Sequence, residues 1–222
     1  MSDRAAPEAG ASRLLPKARL EAFSDGVFAI VVTLLVLELD VPKAEEPLLP
    51  ALADSWPAYL GYFVSFTFIG GAWIAHSNMT RFIKCVDASF MRLNLLLLLF
   101  VSFLPFTTNL LAVHLNDAEE GGAVVIFGTN LTLAALLVNS LVAYAARTPG
   151  LAADDVAEEE LQVFAKERRA ALLLQAVATV VGLFLPVIAV MVFLAISVLL
   201  LVDPLWRARR RKSEHARTAA QK

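Results

Sequence analysis

The chain has 222 residues, of which 58% are hydrophobic and only 18% are charged. A soluble domain usually carries roughly 45–50% apolar residues, so this composition and the mean hydropathy of +0.67 exclude an ordinary soluble protein. The net charge of −2 says little about partners, because the sign of the charges is sorted by position, and we expect no nucleic-acid partner. The single cysteine, Cys85, excludes an intramolecular disulfide framework.

Six segments are long and apolar enough to cross a bilayer as helices, since a span needs about 20 apolar residues. They lie near residues 20–39, 57–80, 91–114, 122–146, 168–184 and 187–206. Their leucine- and alanine-rich runs lack the alternation of a transmembrane barrel, and helices are the other structure that satisfies backbone groups in lipid. The sequence therefore predicts an all-α integral membrane protein with six transmembrane helices.

The last two spans share one uncharged run from Ala170 to Val202. A single span needs fewer residues than this run contains, and Pro186 near its middle suits a tight connection. We therefore predict a short helical hairpin, with a single long kinked helix as the alternative.

Basic residues indicate the orientation of the spans, because lysine and arginine accumulate in cytoplasmic loops. All of them except Lys43 lie in the terminal segments or in the second and fourth connections. The first and third connections are instead acidic or uncharged, and their acids are Asp40, Glu45, Glu46, Asp54, Asp117, Glu119 and Glu120. Six spans account for this sorting, so we predict a multi-pass protein of the cell membrane with both termini in the cytoplasm.

The sequence divides into three regions. Residues 1–16 are polar and rich in alanine, proline and glycine, so we expect a disordered cytoplasmic arm, and residues 17–206 form the six-helix domain. Residues 207–222 form a basic cytoplasmic tail that we expect to contact anionic lipid headgroups. Before the fifth span, the segment 154–169 has the charge order of a solvated helix, which predicts a cytoplasmic helical lead-in.

No motif in the chain indicates catalysis or metal binding. The three histidines, His76, His114 and His215, are far apart, and the sequence has no glycine-rich phosphate loop, nucleophile elbow or acid–base pair. We therefore expect neither an enzyme nor a bound cofactor or metal. The pair Gly70 and Gly71 predicts a close approach between helices.

The first span begins with polar residues that need partners at membrane depth. Asp25 lies beside Ser24 just inside the span, where an ionisable residue is by default functional or structural. Arg19 and Asp25 are about 240° apart around one helix, so they face different neighbours. The candidate partners are Trp73, His76, Asn78, Arg92 and Asn94. We expect a knot of hydrogen bonds and salt bridges that pins three helices, with direct ion coordination by Asp25 as the alternative.

Four residues of the first span share one helical face, since they are spaced at i, i+3, i+4 and i+7. They are Ile30, Thr33, Leu34 and Leu37. From periodicity alone such a stripe is typical of packing between helices. Thr33 is unusual there, because a hydroxyl in a packed helix usually bonds back to its own backbone.

The head of this span carries a family signature. Arg19, three intervening residues and then Phe23, Ser24 and Asp25 at the entrance to an apolar helix resemble the motif of the transmembrane protein 175 family of potassium channels. The resemblance covers roughly residues 18–206 and is closest to prokaryotic members, which have a single six-helix unit. The family's polar partners of the motif match Trp73 and His76. The resemblance implies a homotetramer in which the first helix lines a central pore.

By offset from the motif, the resemblance also implies roles for the stripe. Ile30, Leu34 and Leu37 match an apolar pore constriction, and Thr33 matches a hydroxyl that aids selectivity. The expected function is a passive, moderately potassium-selective channel with a hydrophobic gate, and K⁺ is its permeant ion. Two other classes stay open: a proton-permeable channel or proton-coupled transporter, and a structural membrane protein that conducts nothing.

Overall fold

The computed structural model describes residues 15–148, 150–151 and 158–202, and within them it is almost entirely helical. In chain order the elements are β1 (Leu15–Pro16), α1 (Ala18–Leu34), a 3₁₀ helix (Leu35–Glu38), α2 (Leu48–Asp54), α3 (Trp56–Arg81), β2 (Cys85–Val86), α4 (Ala88–Ser102), α5 (Leu104–His114), α6 (Glu120–Arg147), α7 (Glu158–Val181) and α8 (Pro186–Val202). Helix α6 packs against α4, α5 and α7, and α3 packs against α5. The core therefore lies around α6.

The first four predicted spans are confirmed as long apolar helical stretches. They are Ala18–Glu38, Trp56–Arg81, Ala88–His114 and Glu120–Arg147. Large apolar side chains on their surfaces, such as Leu99, Phe106 and Val113, remain exposed. Such exposure suits helices surrounded by lipid, where apolar side chains need no protein cover.

The first span departs from a continuous α-helix near its C-terminal end. Helix α1 ends at Leu34, and the chain continues as a 3₁₀ helix through Glu38. A 3₁₀ helix has three residues per turn, so Leu37 lies one turn beyond Leu34 on the same side. The tighter winding therefore preserves the predicted stripe.

The third span is broken at Phe103, which ends α4 and precedes α5. Pro105 lies in the first turn of α5. Inside a helix, proline lacks the backbone N–H and clashes with the carbonyl four residues earlier, whereas the first turn tolerates it. The span predicted near 91–114 therefore consists of two helices in the structure, and this proline is the physical reason for the break.

The end of the described chain is a pair of helices, α7 and α8, joined by a turn at 182–185. A side-chain carbon added at Gly182 would lie 3.2 Å from the Cβ of Ala189, so α8 folds back against α7. This agrees with the predicted hairpin and not with a single kinked helix. Among the described residues, neither helix meets both the length and the hydropathy of a full span, so the fifth and sixth crossings remain predictions. The disordered arm at 1–14 and the basic tail at 207–222 also remain predictions, because both segments lie outside the described residues.

The lead-in to the fifth span differs from the prediction at one residue. Helix α7 begins at Glu158, as expected for a helical lead-in, and Lys166 and Arg169 are exposed. Arg168, however, is buried at 9% exposure and donates from Nη2 to the carbonyl oxygen of Gly71 at 3.4 Å. The expectation that Arg168 belongs to a solvated helix face is therefore wrong, because it faces α3.

A short antiparallel ladder corrects the predicted boundary of the disordered arm. Leu15 pairs with Val86 and Pro16 pairs with Cys85, although we expected disorder through residue 16. The next residue, Lys17, donates from Nζ to the carbonyl oxygen of Thr80. The start of α1 is thus tied to the connection between α3 and α4.

Helix α6 meets the α7–α8 pair at Gly128, and this close contact predicts a stability effect. A Cβ there would lie 2.6 Å from Cζ of Phe193 and 2.7 Å from Oγ1 of Thr179. We expect Gly128→Ala to lower the free energy of unfolding by about 1–3 kcal/mol, the usual effect of overpacking a core. Thermal unfolding of the purified protein measures this loss of stability.

Gly122→Ala on the same helix is the matched control. A Cβ there has open space around it, so this variant should instead raise the free energy of unfolding by roughly 0.5–1 kcal/mol. Equal stability of the two variants would contradict this packing.

Candidate functional site on the first helix

Helix α1 has one face turned toward its own subunit and one turned away from it. The inward face carries Phe28 and Val31, each 3% exposed, and Leu35, which is fully buried. The outward face carries Ile30 at 60% exposure and Leu37 at 73%. Bulky apolar residues therefore line a face that no described residue of the same chain covers.

The predicted stripe lies on this outward face. Leu34 is 42% exposed and Thr33 is exposed, as are Ile30 and Leu37. The Thr33 hydroxyl donates to the carbonyl oxygen of Ile30 at 2.8 Å. Its hydrogen is thereby used within the helix, and the oxygen's lone pairs remain available to an approaching cation. The stripe does not pack against the described part of its own chain, so packing between helices of one chain does not account for its periodicity.

The inward face of α1 is held by a buried hydrogen-bond chain that links three helices. The amide nitrogen Nδ2 of Asn94 on α4 donates to Oγ of Ser24 at 2.9 Å. The amide oxygen of Asn94 lies 2.8 Å from Nε2 of His76 on α3. Because an amide oxygen only accepts, Nε2 carries the proton in this arrangement. All three side chains are at most 2% exposed, so the buried side chains of Ser24 and His76 both depend on Asn94 for these hydrogen bonds.

A second hydrogen bond holds the neighbouring side of α1. Trp73 on α3 donates from Nε1 to Oδ1 of Asp25 at 2.9 Å. Both side chains are exposed, and Trp73 is 44% exposed. This bond and the two bonds of Asn94 bring Ser24, Asp25, Trp73 and His76 into one anchor. We refer to these four residues and Asn94 as the polar anchor.

Arg19 and two of its candidate partners, Asn78 and Arg92, lie outside the polar anchor. Arg19 faces a groove of about 390 Å³ between α1 and α4, whose walls are Leu15, Pro16, Leu20, Phe23, Val86, Met91, Asn94 and Leu95. Within the described residues, Arg19 makes no hydrogen bond or ion pair, and Phe23 beside it is 56% exposed. Arg92 is exposed and Asn78 is half-buried. In the structure, Arg19 and Asp25 thus face different neighbours, as we expected from their spacing on the helix.

The structure also contains a polar contact that we did not predict. Asp87 caps α4, since its Oδ1 accepts from the backbone N–H of Phe90 at 2.8 Å, and its Oδ2 accepts from the hydroxyl of Tyr144 at 2.6 Å. An aspartate just before an apolar helical run is an N-cap signal that could have indicated the first bond. Burial acts to raise the pKa of Asp87, but these hydrogen bonds outweigh it and hold the pKa below the usual 3.8.

The lowered pKa of Asp87 predicts how acid affects stability. A carboxyl whose pKa is depressed by folding stabilises the protein above its unfolded pKa, and that contribution is lost as the pH falls through the folded pKa. Tyr144→Phe removes one donor to Asp87, so we expect it to lower the free energy of unfolding by about 1–2 kcal/mol at neutral pH. This loss of stability should become progressively smaller below about pH 4. Thermal unfolding across this range measures the difference. Tyr62→Phe, at a half-buried tyrosine with ring contacts, should show no such pH dependence, and a constant deficit for Tyr144→Phe would contradict the assignment.

Fold and site together define a multi-pass helical membrane protein whose first helix is anchored by polar contacts and presents an apolar stripe. The family model described as "Endosomal/lysosomal potassium channel TMEM175" matches residues 19–105. A potassium channel of Chamaesiphon minutus is 36% identical over 155 residues, which cover 68% of this chain and 76% of that protein. The chain belongs to the TMEM175 family of ion channels.

Other relatives and solved structures are similar over different lengths. A potassium channel of Streptomyces collinus is 41% identical over 59% of this chain, and the match spans 65% of that protein, slightly under two thirds of its length. The human protein named "Endosomal/lysosomal proton channel TMEM175" is 39% identical over 101 residues, and the match spans 20% of its length. The crystal structure of the Chamaesiphon minutus homolog superposes with a TM-score of 0.77 at 31% identity, covering 84% of this chain and 97% of that one.

Proposed function

We propose that the protein is a passive, potassium-favouring channel and that α1 lines its pore in a homotetramer. Ile30, Leu34 and Leu37 would form the constriction, and Thr33 would contribute to selectivity. The observation that carries the proposal is the outward exposure of this stripe on a helix whose opposite face is buried. The bacterial relatives are named potassium channels, which supports the same function.

The chemistry of the stripe suits a gate that works by excluding water. A narrow ring of isoleucine and leucine side chains offers an ion nothing to replace its hydration shell, so the neck blocks conduction while it is dry. A small rotation of α1 would widen the neck and admit water. K⁺ loses its shell more readily than the smaller Na⁺, and the Thr33 oxygen would assist by accepting the partly dehydrated ion.

The surfaces beside the stripe support assembly from identical subunits. The groove that contains Arg19 lies on one flank of α1. On the other flank is a groove of about 450 Å³ lined by Asp25, Phe28, Ala29, Val32, Phe66, Ile69, Gly70 and Trp73. In a ring with rotational symmetry the two flanks of neighbouring subunits meet. The cation of Arg19 and the carboxylate of Asp25 would then complement each other across the interface.

The acidic connection between α5 and α6 would attract cations to one mouth of the pore. Asp117 accepts from the backbone N–H of Glu119 at 2.7 Å and from Nδ1 of His114 at 2.7 Å. The Glu119 bond and then the His114 bond hold the pKa of Asp117 below the usual 3.8. Asp117 therefore remains negative at neutral pH while one of its carboxylate oxygens accepts a hydrogen bond from His114. Its attraction for cations should weaken with salt over a Debye length of about 8–10 Å.

The six-span topology with cytoplasmic termini is part of this proposal. The exposed apolar side chains on α7, on α8 and in the turn between them support two further crossings, and they include Leu173, Val177, Val180, Phe184, Ile188, Met191 and Leu199. Water would be a poor solvent for so much apolar surface, whereas lipid suits it. A basic tail at 207–222 would remain on the cytoplasmic side and contact anionic headgroups.

Flux measurements test the proposed function directly. The purified chain is reconstituted into liposomes with a K⁺ gradient, and K⁺ flux is compared with empty liposomes and with Na⁺ in the same format. We expect a K⁺ flux that exceeds the Na⁺ flux, and a detergent-corrected mass that corresponds to four chains. No flux above empty liposomes would overturn the channel, and a monomeric mass would overturn the central pore.

Proton permeation is the second candidate function. The vertebrate relatives are named proton channels, and the bovine protein is 43% identical over 101 residues. A narrow neck that is transiently wet could pass protons along a water chain. Reversal potentials under a pH gradient distinguish the two candidates, because a proton current shifts the reversal potential with pH while a K⁺ current follows the K⁺ gradient.

A further inference from the structure

The strongest feature without an assigned role is the buried charge of Arg168 on α7. Its guanidinium Nη2 donates to the backbone carbonyl oxygen of Gly71 on α3 at 3.4 Å, and its side chain is 9% exposed. A charged side chain among membrane helices is costly and usually has a function. The family model matches only residues 19–105, so this contact joins the matched part of the chain to a part beyond it.

Small and apolar residues from three helices line a gap beside Arg168. They are Phe68, Gly71 and Ala72 of α3, Ala135 and Val138 of α6, and Ser197 and Leu200 of α8. The gap among them is only about 20 Å³, which leaves room for at most about one water molecule. The position of the guanidinium is therefore set by protein contacts rather than by hydration.

Helix α8 lies close to α3 at Gly71, as the glycine pair in the sequence predicts. A Cβ on Gly71 would lie 3.7 Å from the backbone nitrogen of Leu201 and 3.8 Å from the carbonyl oxygen of Ser197. A backbone carbonyl has two lone pairs, so the Gly71 oxygen can accept from Arg168 while it remains in the helix. Arg168 thus holds α3 without opening its hydrogen-bond ladder.

Helix α3 lies between this contact and the candidate pore helix. Gly71 and Trp73 are two residues apart, which is about 200° around the helix. Gly71 therefore faces α7 and α8, while Trp73 faces α1 and donates to Asp25 at 2.9 Å. Because a helix rotates as a unit, a turn of α3 that releases Gly71 from Arg168 also displaces Trp73 from Asp25.

We propose that Arg168 is a positioning residue that sets the rotation of α3 and thereby keeps Trp73 bonded to Asp25 of α1. Through this contact the α7–α8 pair controls the orientation of α1. The consequence for ion flux rests on the proposed function, whereas the consequence for the bond between Trp73 and Asp25 does not.

The emission of Trp73 tests the proposal without relying on conduction. Replacing Trp56 and Trp206 by phenylalanine leaves Trp73 as the one tryptophan of the three in the sequence. In this background, Asp25→Ala shows the emission of a Trp73 that has lost its acceptor. We expect Arg168→Met to shift the emission in the same direction, and Arg168→Lys, which keeps a charged donor, to restore the parent spectrum. Arg169→Met removes the same charge from an exposed neighbour and should leave the spectrum unchanged.

Several results would overturn the proposal. An unshifted spectrum in Arg168→Met would do so, and so would equal shifts in the methionine and lysine variants, since side-chain shape would then be the cause. If Arg168→Met does not fold, Arg168→Gln replaces it, and a partial shift supports the proposal whereas no shift overturns it. K⁺ flux through the same vesicles should fall several-fold in Arg168→Met. A shifted spectrum with unchanged flux would keep the positioning role and contradict a pore lined by α1.

Discussion

Ile30→Asn should raise the K⁺ flux through reconstituted protein and reduce its preference for K⁺ over Na⁺. An amide in the neck can hydrogen-bond to water, so the constriction would stay wet, and an ion would keep more of its hydration shell during passage. Each 1.4 kcal/mol removed from the barrier increases the rate about tenfold, so we expect an increase of roughly tenfold or more. Flux assays and bi-ionic reversal potentials in K⁺ and Na⁺ measure both effects.

Two asparagine variants serve as controls for Ile30→Asn. Leu199→Asn changes an α8 residue that is 69% exposed, about as exposed as Ile30, and it should leave flux unchanged. Val31→Asn changes the adjacent residue on the buried face of α1, and it should destabilise the protein without raising flux per folded channel. If Ile30→Asn merely lowers stability and its flux stays at the parent level, Ile30 packs between helices and does not face a pore.

Asn94→Leu should destabilise the protein more than any other single change at the polar anchor. Asn94 donates to Ser24 and accepts from His76, so leucine leaves two buried polar side chains without their partner. Each buried group that loses its hydrogen bond costs about 1–3 kcal/mol, so the two together cost about 2–6 kcal/mol. We expect a lower midpoint of thermal unfolding, a lower yield of the assembled protein, and reduced K⁺ flux because α1 is held less firmly.

Asn139→Leu provides the matched control for this change. Asn139 is half-buried on α6 and donates to the carbonyl oxygen of Ala135 in its own helix. Removing it leaves no other side chain unpaired, so its effect should stay within about 1 kcal/mol. Comparable losses for the two variants would show that Asn94 has no special place in the anchor.

Much of the fold could be predicted because it depends on local composition. Four apolar stretches and the lead-in at α7 came from hydropathy, charge and periodicity, which need no knowledge of the neighbours. The break at Phe103 also has a local cause, because Pro105 is disfavoured in the interior of a helix. The β1–β2 ladder could not be predicted in this way, since Leu15 and Val86 are brought together by the packing of α1 against α3 and α4.

The candidate site was only partly predictable. The motif residues and their set of partners followed from the sequence, but the set also contained Asn78 and Arg92, which lie outside the polar anchor. The pairing of Asp25 with Trp73, and of Ser24 with Asn94 and His76, emerged only from the structure. The sequence did not indicate the contact between Asp87 and Tyr144, and it wrongly predicted a solvated position for Arg168. Charge patterning treats a polar residue near a helix end as solvated, because it contains no information about which helices pack around that residue.

The sequence by itself determined that this is a helical membrane protein, because the free energy of burying apolar surface and satisfying backbone groups in lipid depends on the residues of each segment alone. It also determined which residues share the stripe on α1, since the helical repeat is a property of one chain segment. Only the tertiary structure decided that this stripe faces away from its own subunit, that Asn94 joins Ser24 across 70 positions of sequence, and that Arg168 is buried against Gly71. Those outcomes depend on which helices become neighbours, and no local pattern encodes the distance between groups so far apart in the chain.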